Sequence, residues 1–397
     1  DWRHGWSIRR DWVIYTSGVV PAVSAIIKAL TVPGDRVLVQ TPVYNCFFSS
    51  IRNNGCETVA SPLLHADGTY TVDFDDFEKK AADPRVKLFL LCNPHNPGGR
   101  VWTRDELRRM GEICLRNGVT VVADEIHCEL VFPGYTYTPF ASLSPEFEAC
   151  SVTCNSPSKA FNIAGLQIAN IVAPDAAVRA RIDRAININE VCDVNPFGVE
   201  ALIAAYREGE EWLSQLLVYL KENDTFMREF CARHLPQFPL TRLEGTYLEW
   251  QDCRVLGVPS AQLEQQLIDE VGLWLNAGTM YGAEGEGFIQ RLAYADTVTM
   301  MDKEPENLNG MVTIPTADAK LYIPMGQLVD VAKELDRISK ELEKNRKFLG
   351  SLEAKLSNEK FVSRAPEAVV NAEKEKAQKT RDLIASLEQS EAALKSL

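Results

Sequence analysis

Short apolar runs alternate with amphipathic segments along the chain up to about residue 290. Residues 103–118 place apolar side chains every three or four positions, the spacing of an amphipathic helix. Buried strands that alternate with such helices form βαβ units, so this pattern predicts an α/β fold with a doubly wound, mostly parallel sheet. The predicted strands are Trp12–Thr16, VLVQ 37–40, VKLFLLCN 86–93, TVVADE 120–125, SVTCNS 151–156 and IANIVAP 168–174.

The pattern changes after about residue 326, where charged residues, Leu, Ala and Ser dominate. Apolar residues recur there at spacings of three and four, which predicts the seam of a coiled coil, with one polar residue that fixes its register. The seam positions are Leu328, Val331, Leu335, Ile338, Leu342, Asn345, Leu349, Leu352 and Leu356. Pro366 suits the start of a second helix, whose apolar side holds Leu383, Leu387, Leu394 and Leu397. These features predict an antiparallel helical hairpin; one continuous solvated helix is the alternative.

The changes in pattern predict four parts of the chain. They are an N-terminally truncated large domain at 1–185, a partial small domain at 186–287, a β-containing connector at 288–325 and a coiled-coil arm at 326–397. Residues 1–4 followed by Gly5 are typical of the last turn of a helix and its cap. We therefore expect that an N-terminal segment is missing.

Composition and net charge argue against some classes of protein function. The 397 residues are 46% hydrophobic and carry a net charge of −13, which argues against a general nucleic-acid binder. The arm holds nearly equal numbers of acidic and basic side chains, so charge alone favours a solvated coiled coil over a basic binding face. No apolar run is long enough to span a bilayer, and the ten cysteines form no CxxC pair. We therefore expect a cytoplasmic protein with reduced thiols, no metal site and no membrane contact.

Four polar segments follow predicted strands: SGVV 17–20, NPHNPGG 93–99, DEIH 124–127 and SPSKAFNIAGLQ 156–167. Each has an ordinary explanation when it is considered alone, such as a turn, a structural ion pair or a surface lysine. In open α/β sheets, however, the carboxyl ends of the strands form one ligand-binding edge. We therefore expect these segments to meet at one site.

Together the segments supply an anion-binding helix start, two serine hydroxyls, a carboxylate and an amine. Pyridoxal 5′-phosphate (PLP) requires this combination, because its phosphate, its ring nitrogen and its aldehyde each need a different partner. Tyr44, in PVYNCF 42–47 after the VLVQ strand, supplies an aromatic lid for the ring.

Residues 1 to about 287 resemble the fold-type I PLP enzymes of the aminotransferase class I/II superfamily, and within it the cystathionine β-lyase/C–S lyase branch. The motifs are SGVVPA, TPVY, CNPHNPGGRVW, VVADEIH, SPSKAFNIAGLQ, NPFGVEALIAAYREGEEWL and GTYLEW. The resemblance implies that Lys159 forms the Schiff base with PLP and acts in catalysis with Tyr44, which stacks on the ring. The other implied cofactor contacts are Asp124 at the ring nitrogen, Asn96 and His127 near the 3′ oxygen, and Gly18, Val19, Ser156 and Ser158 at the phosphate.

The same resemblance implies an amino-acid substrate, a homodimer and β-elimination from cystathionine or another cysteine S-conjugate. The products are a thiol, pyruvate and ammonia. Transamination uses the same early steps and stays open as the alternative.

From about residue 288 onward the chain resembles the C-terminal part of a bacterial valyl-tRNA synthetase, through AKLYIPMGQLVDVAKEL 319–335 and KLSNEKFVSRAPEAVV 355–370. The resemblance implies contact of the arm with tRNA through Lys333, Arg337, Lys340, Lys344, Arg346 and Lys347. The competing hypothesis is a tRNA-binding or coiled-coil module on an inactive scaffold. The junction implies a fusion, whether natural, engineered or an artefact of assembly.

Two positions depart from the pattern that the resemblance implies. Gln167 replaces an arginine near the phosphate, so we expect the helix start to bear more of the phosphate binding. Arg291 should bind the substrate carboxylate with Asn96, but Gln290 occupies its position and Arg291 follows one residue late. A one-residue slip in a strand turns the side chain to the other face, unless a local bulge returns it. We therefore expect severely impaired turnover.

Overall fold

A computed structural model gives the fold. It describes residues 3–188, 193–292, 311–315 and 320–324, together with single positions and short stretches between residues 339 and 384. The chain divides into two compact units, residues 1–298 and 299–397.

An eight-stranded sheet forms the centre of the first unit, in the order β1-β8-β7-β6-β5-β2-β3-β4. Strands β3, β2, β5, β6 and β7 run parallel, whereas β1, β4 and β8 pair antiparallel with their neighbours. The strands are β1 (Val13–Thr16), β2 (Arg36–Thr41), β3 (Glu57–Ala66), β4 (Thr69–Val72), β5 (Val86–Cys92), β6 (Thr120–Asp124), β7 (Ser151–Asn155) and β8 (Ala169–Val172). The predicted mostly parallel α/β sheet is confirmed.

The central strands are buried on both faces. Along β2, Val37 and Val39 belong to one apolar cluster, whereas Leu38 between them belongs to another. Because successive side chains of a strand point to opposite faces, continuous apolar runs are required for a sheet covered on both sides.

Helices cover both faces of this sheet. The α4 helix shows why they form where they do, since Thr103 and Glu106 make a capping box at its start and Leu107 and Met110 are buried. The helices are α1 (Val19–Leu30), α2 (Cys46–Asn53), α3 (Phe74–Ala81), α4 (Arg104–Arg116), α5 (Pro145–Ala149), α6 (Ala176–Asn187), α7 (Pro196–Glu208), α8 (Glu210–His234) and α9 (Ser260–Val271).

A small antiparallel sheet completes the first unit. It consists of β9 (Leu248–Asp252), β10 (Asn276–Ala277) and β11 (Phe288–Leu292), in the order β10-β11-β9. The β9–β11 register runs from Phe288 opposite Asp252 to Leu292 opposite Leu248 without a shift. The strand β11 therefore pairs within the first unit, and the four domain boundaries stay a prediction.

The described part of the second unit contains a β-hairpin of β12 (Met311–Pro315) and β13 (Lys320–Pro324) and two helical segments. Leu342 and Leu352 of the predicted seam are buried. Ala377 and Ile384 are buried on the later segment, and Arg381 donates to the Glu353 carboxylate across the two segments at 2.9 Å. Pro366, Leu383, Leu387, Leu394 and Leu397 lie outside the described residues, and the coiled coil stays a prediction.

No helix in the described part of the chain is both long enough and apolar enough to cross a membrane.

Candidate active site

A cavity of about 510 Å³ lies at the carboxyl edge of the large sheet. Its lining comes from two groups of residues. The large-sheet wall comprises those at the ends of β5 and β6, the start of α1 and the loop after β7, and the small-sheet wall comprises those of the small sheet and its connections. The lining comprises Ser17, Gly18, Val19, Val20, Pro21, Tyr44, Asn45, Cys92, Asn96, Asp124, Ile126, His127, Ser158, Lys159, Ala164, Gln167, Ile168, Tyr247, Leu248, Asn276, Tyr281 and Gln290. The four predicted segments therefore meet at one site.

Asp124 is the last residue of β6 and is 3% exposed. Its carboxylate accepts the backbone N–H of Ile126 at 3.2 Å. Burial raises the pKa of Asp124 to about 7, although Lys159 and that hydrogen bond oppose the shift. A carboxylate in such a place requires a cationic or N–H partner from the cavity side.

Lys159 lies in the turn after β7 and faces the same cavity. Ser158 also lines the cavity, whereas Ser156 does not. The Ser156 hydroxyl donates to the Ile168 carbonyl at 2.6 Å and accepts the Ser158 N–H at 3.1 Å. This hydroxyl therefore connects the turn to the residue before β8, and the direct phosphate contact that the resemblance implies for Ser156 stays a prediction.

The first turn of α1 provides the anion-binding end of the cavity. Gly18 is the N-cap and Val19 the first residue of this 12-residue helix, and both line the cavity. Its N-cap residue makes no side-chain cap hydrogen bond in the described part of the chain, so the first backbone N–H groups are available to an anion.

His127 and Asn96 line the cavity beside Asp124. The Nδ1 atom of His127 is buried and has no hydrogen-bond partner among the described residues. Burial, reinforced by Lys159, lowers the pKa of His127 to about 3, so its ring is neutral. The Asn96 side-chain oxygen accepts a hydrogen bond from Gln290 at 3.1 Å.

Tyr44 lies between β2 and α2 and packs edge-on against Phe47, with ring centroids 5.9 Å apart. Burial raises the pKa of its hydroxyl well above the usual range, so Tyr44 is protonated at neutral pH. Its ring is available as an aromatic wall of the cavity.

The small-sheet wall contains two residues that the sequence did not reveal as site residues, Asn276 and Tyr281. They come from a two-residue strand and a short helical turn without a distinctive motif, whereas Tyr247 lies in GTYLEW and Gln290 occupies the position expected for an arginine. Tyr281 donates its hydroxyl hydrogen to the Gln290 side-chain oxygen, which also accepts from Asn276 at 3.4 Å. A neutral hydrogen-bond network therefore forms this wall.

The predicted carboxylate and tRNA contacts belong to β11 and to the second unit. Arg291 pairs with Glu249 through the backbone of β11, and its side chain lies outside the described residues. The regular register of β11 contains no bulge. Lys333, Arg337, Lys340 and Lys344 also lie outside the described residues, whereas Arg346 and Lys347 are exposed on the first helical segment of the second unit.

One cluster of metal-ligand residue types lies apart from the cavity lining. Ligand atoms of His4, Cys128 and Glu129 lie within 4.8 Å of one another. The Glu129 carboxylate already contacts His4 at 3.0 Å and Arg3 at 3.2 Å, so the protein itself supplies partners for this charge.

The residues at the cavity fit PLP. Among the described residues, the buried carboxylate of Asp124 accepts one backbone hydrogen bond and the buried Nδ1 of His127 has no hydrogen-bond partner. A protonated ring nitrogen would satisfy the first, a polar ring substituent would satisfy the second, and the start of α1 would bind the phosphate.

Comparison with known proteins agrees with this geometry. Residues 3–302 match the family model of aminotransferase class I and II, and residues 330–395 match the valyl tRNA synthetase tRNA binding arm. Cystathionine beta-lyase PatB of Bacillus subtilis (strain 168) is 43% identical over 300 residues, which are 76% of this chain and 78% of the relative. Protein MalY of Escherichia coli (strain K12) is 33% identical over 72% of this chain and 73% of its own length.

A solved structure supports the same assignment. The crystal structure of cystalysin from Treponema denticola, which contains a PLP cofactor, superimposes with a TM-score of 0.72 at 35% identity. The match covers 73% of this chain and 74% of cystalysin. The chain belongs to the aminotransferase class I and II family.

Proposed function

We propose that the first unit is a PLP-dependent carbon–sulfur β-lyase that acts on cysteine S-conjugates such as cystathionine. The observation that carries this proposal is one cavity that combines the Lys159 amine with the buried Asp124 carboxylate. The relatives named cystathionine beta-lyase support the reaction type.

Each residue would have a definite task. PLP supplies, when bound, an electron sink that stabilises negative charge at the substrate Cα. Asp124 would keep the ring nitrogen protonated, Gly18 and Val19 would bind the phosphate through their N–H groups, and Tyr44 would cover one face of the ring. Asn96 and His127 would bind the ring oxygen.

Lys159 would move the proton that the elimination requires. Its Nζ would bind the cofactor aldehyde, then remove the Cα proton of the substrate and pass a proton to the departing sulfur. The Cβ–S bond breaks, the sulfur leaves as a thiol, and water converts the three-carbon remainder to pyruvate and ammonia.

Product analysis tests the proposal. The PLP-loaded chain is incubated with cystathionine, and pyruvate, thiol and ammonia are measured. We expect all three in equal amounts, at a turnover below about 1 s⁻¹, the low end of ordinary enzymes. Transfer of the amino group to an added 2-oxo acid without thiol release would establish an aminotransferase instead.

For the second unit we propose contact with tRNA, which the match of residues 330–395 supports. Arg346 and Lys347 are exposed there and would contact phosphates. Filter binding of tRNA to the full chain should weaken with salt, because phosphate contacts release counterions. The double variant Arg346→Gln/Lys347→Gln should weaken binding, whereas Lys79→Gln/Lys87→Gln in the first unit should not; equal effects would contradict the proposal.

A homodimer and a cytoplasmic location stay predictions. Light scattering of the full chain tests the first; a single-chain mass would contradict it.

A further inference from the structure

The active-site cavity is poor in charge but rich in amides. Among the described residues that line it, only Lys159 and Asp124 belong to charged residue types, apart from the neutral His127. Five amide side chains line the same space: Asn45, Asn96, Gln167, Asn276 and Gln290.

Gln290 has a fixed orientation at the centre of this amide-rich wall. It is 7% exposed, and its oxygen accepts from Tyr281 and Asn276. Its nitrogen must therefore face Asn96, where it donates to the Asn96 oxygen at 3.1 Å. One hydrogen of the Asn96 amide nitrogen would donate to the ring oxygen of the cofactor, and its second hydrogen and that of the Gln290 nitrogen stay as donors, so neutral N–H groups provide the recognition here.

A substrate carboxylate would gain little from such a wall. Lys159 and the start of α1 are committed to the cofactor in the proposed function. A buried carboxylate without a cationic partner is costly, whereas a neutral carbonyl is satisfied by one or two N–H donors.

We propose that the Asn96–Gln290 pair makes the site selective for amino compounds whose second polar group is uncharged, a carboxamide or an ester, over those with an α-carboxylate. The inference rests on the proposed function and names its substrate class. Gln290 therefore determines the specificity of the site. The slow turnover expected for cystathionine is a consequence of this specificity, because cystathionine carries an α-carboxylate.

The test measures binding of two ligands that differ only at this group, L-alanine and L-alaninamide. Neither has a sulfur leaving group, so cofactor absorbance reports binding without elimination. We expect the PLP-loaded chain to bind alaninamide more tightly than alanine. Gln290→Arg should shift the affinity ratio towards alanine by roughly 10- to 100-fold, because it adds a charge-assisted contact. Gln290→Met, of similar size, should lose the preference for alaninamide without gaining one for alanine.

The inference alone is overturned if the unmodified chain binds alanine as tightly as alaninamide or more tightly, or if the affinity ratio is the same in the unmodified chain and in Gln290→Met. A loaded Gln290→Arg chain with an unchanged ratio also overturns it. A chain that shows no cofactor absorbance overturns the proposed function and this inference together, so the two failures are distinguishable.

Discussion

The two walls of the cavity differ in chemistry. The wall from the large sheet holds the Asp124 carboxylate, the Lys159 amine and the uncapped start of α1. The small-sheet wall presents Asn276, Tyr281 and Gln290 as a neutral network. One wall is therefore equipped for the cofactor and its chemistry, and the other for recognition of an uncharged group, so the chain can retain cofactor chemistry while its substrate preference changes.

The largest effect is expected on the charged wall from Lys159→Ala. The variant removes the group that moves the proton, and such groups contribute about 10²- to 10⁴-fold. Pyruvate release should fall by that factor, whereas Lys79→Ala on the exposed surface of α3 should be neutral. Equal rates in the two variants would remove Lys159 from the mechanism.

Asp124→Asn should reduce turnover by roughly 10- to 100-fold, since a hydrogen bond to a charged group contributes about 1.5–3 kcal/mol.

The pH dependence of the stability of the cofactor-free chain offers a second measurement on Asp124. Burial raises the pKa of Asp124 to about 7, so the folded state holds its proton to higher pH than the unfolded state. The protonated Asp124 side chain therefore contributes fully to the free energy of unfolding below about pH 4. This contribution is lost as the pH rises through about 7.

In urea unfolding, Asp124→Asn should therefore gain free energy of unfolding relative to the unmodified chain between pH 5 and pH 8, by on the order of 1–4 kcal/mol. Burial also raises the pKa of Glu125, but Glu125 is present in both proteins, so its contribution cancels in the comparison. A difference that is independent of pH would contradict the burial of a protonated Asp124.

Ser156→Ala should have a smaller effect, because the Ser156 hydroxyl already hydrogen-bonds the Ile168 carbonyl and the Ser158 N–H. The buried partners lose two hydrogen bonds, so the free energy of unfolding should fall by about 1–3 kcal/mol. Cofactor affinity should fall only a few-fold. Ser214→Ala on the exposed side of α8 is the matched control; a complete loss of cofactor binding would indicate direct phosphate contact by Ser156.

The smallest effect is expected in the second unit, from Glu353→Gln. Glu353 and Arg381 are each about half exposed, and exposed ion pairs contribute roughly 0–1 kcal/mol. Leu352→Ala, which empties a buried position, should cost about 2–5 kcal/mol. Amide hydrogen exchange in the arm measures both; the reverse order would contradict the packing described for this segment.

The sequence predicted the charged wall better than the amide wall for a physical reason. Asp124 ends an apolar strand, and Lys159 follows another, so the topology of a parallel sheet brings them together. Asn276 and Tyr281 come from a two-residue strand and a short helical turn, whose position depends on tertiary packing and not on local periodicity. The Ser156 hydroxyl points to Ile168, a backbone partner that no motif specifies.

The most direct test of the account is the site of cofactor attachment. The PLP-loaded chain is reduced with borohydride and digested, and the pyridoxyl group is located by peptide mapping. We expect a single adduct, on the peptide that contains Lys159, and no adduct at this position in Lys159→Ala. Adducts spread over exposed lysines, or none on Lys159, would contradict it.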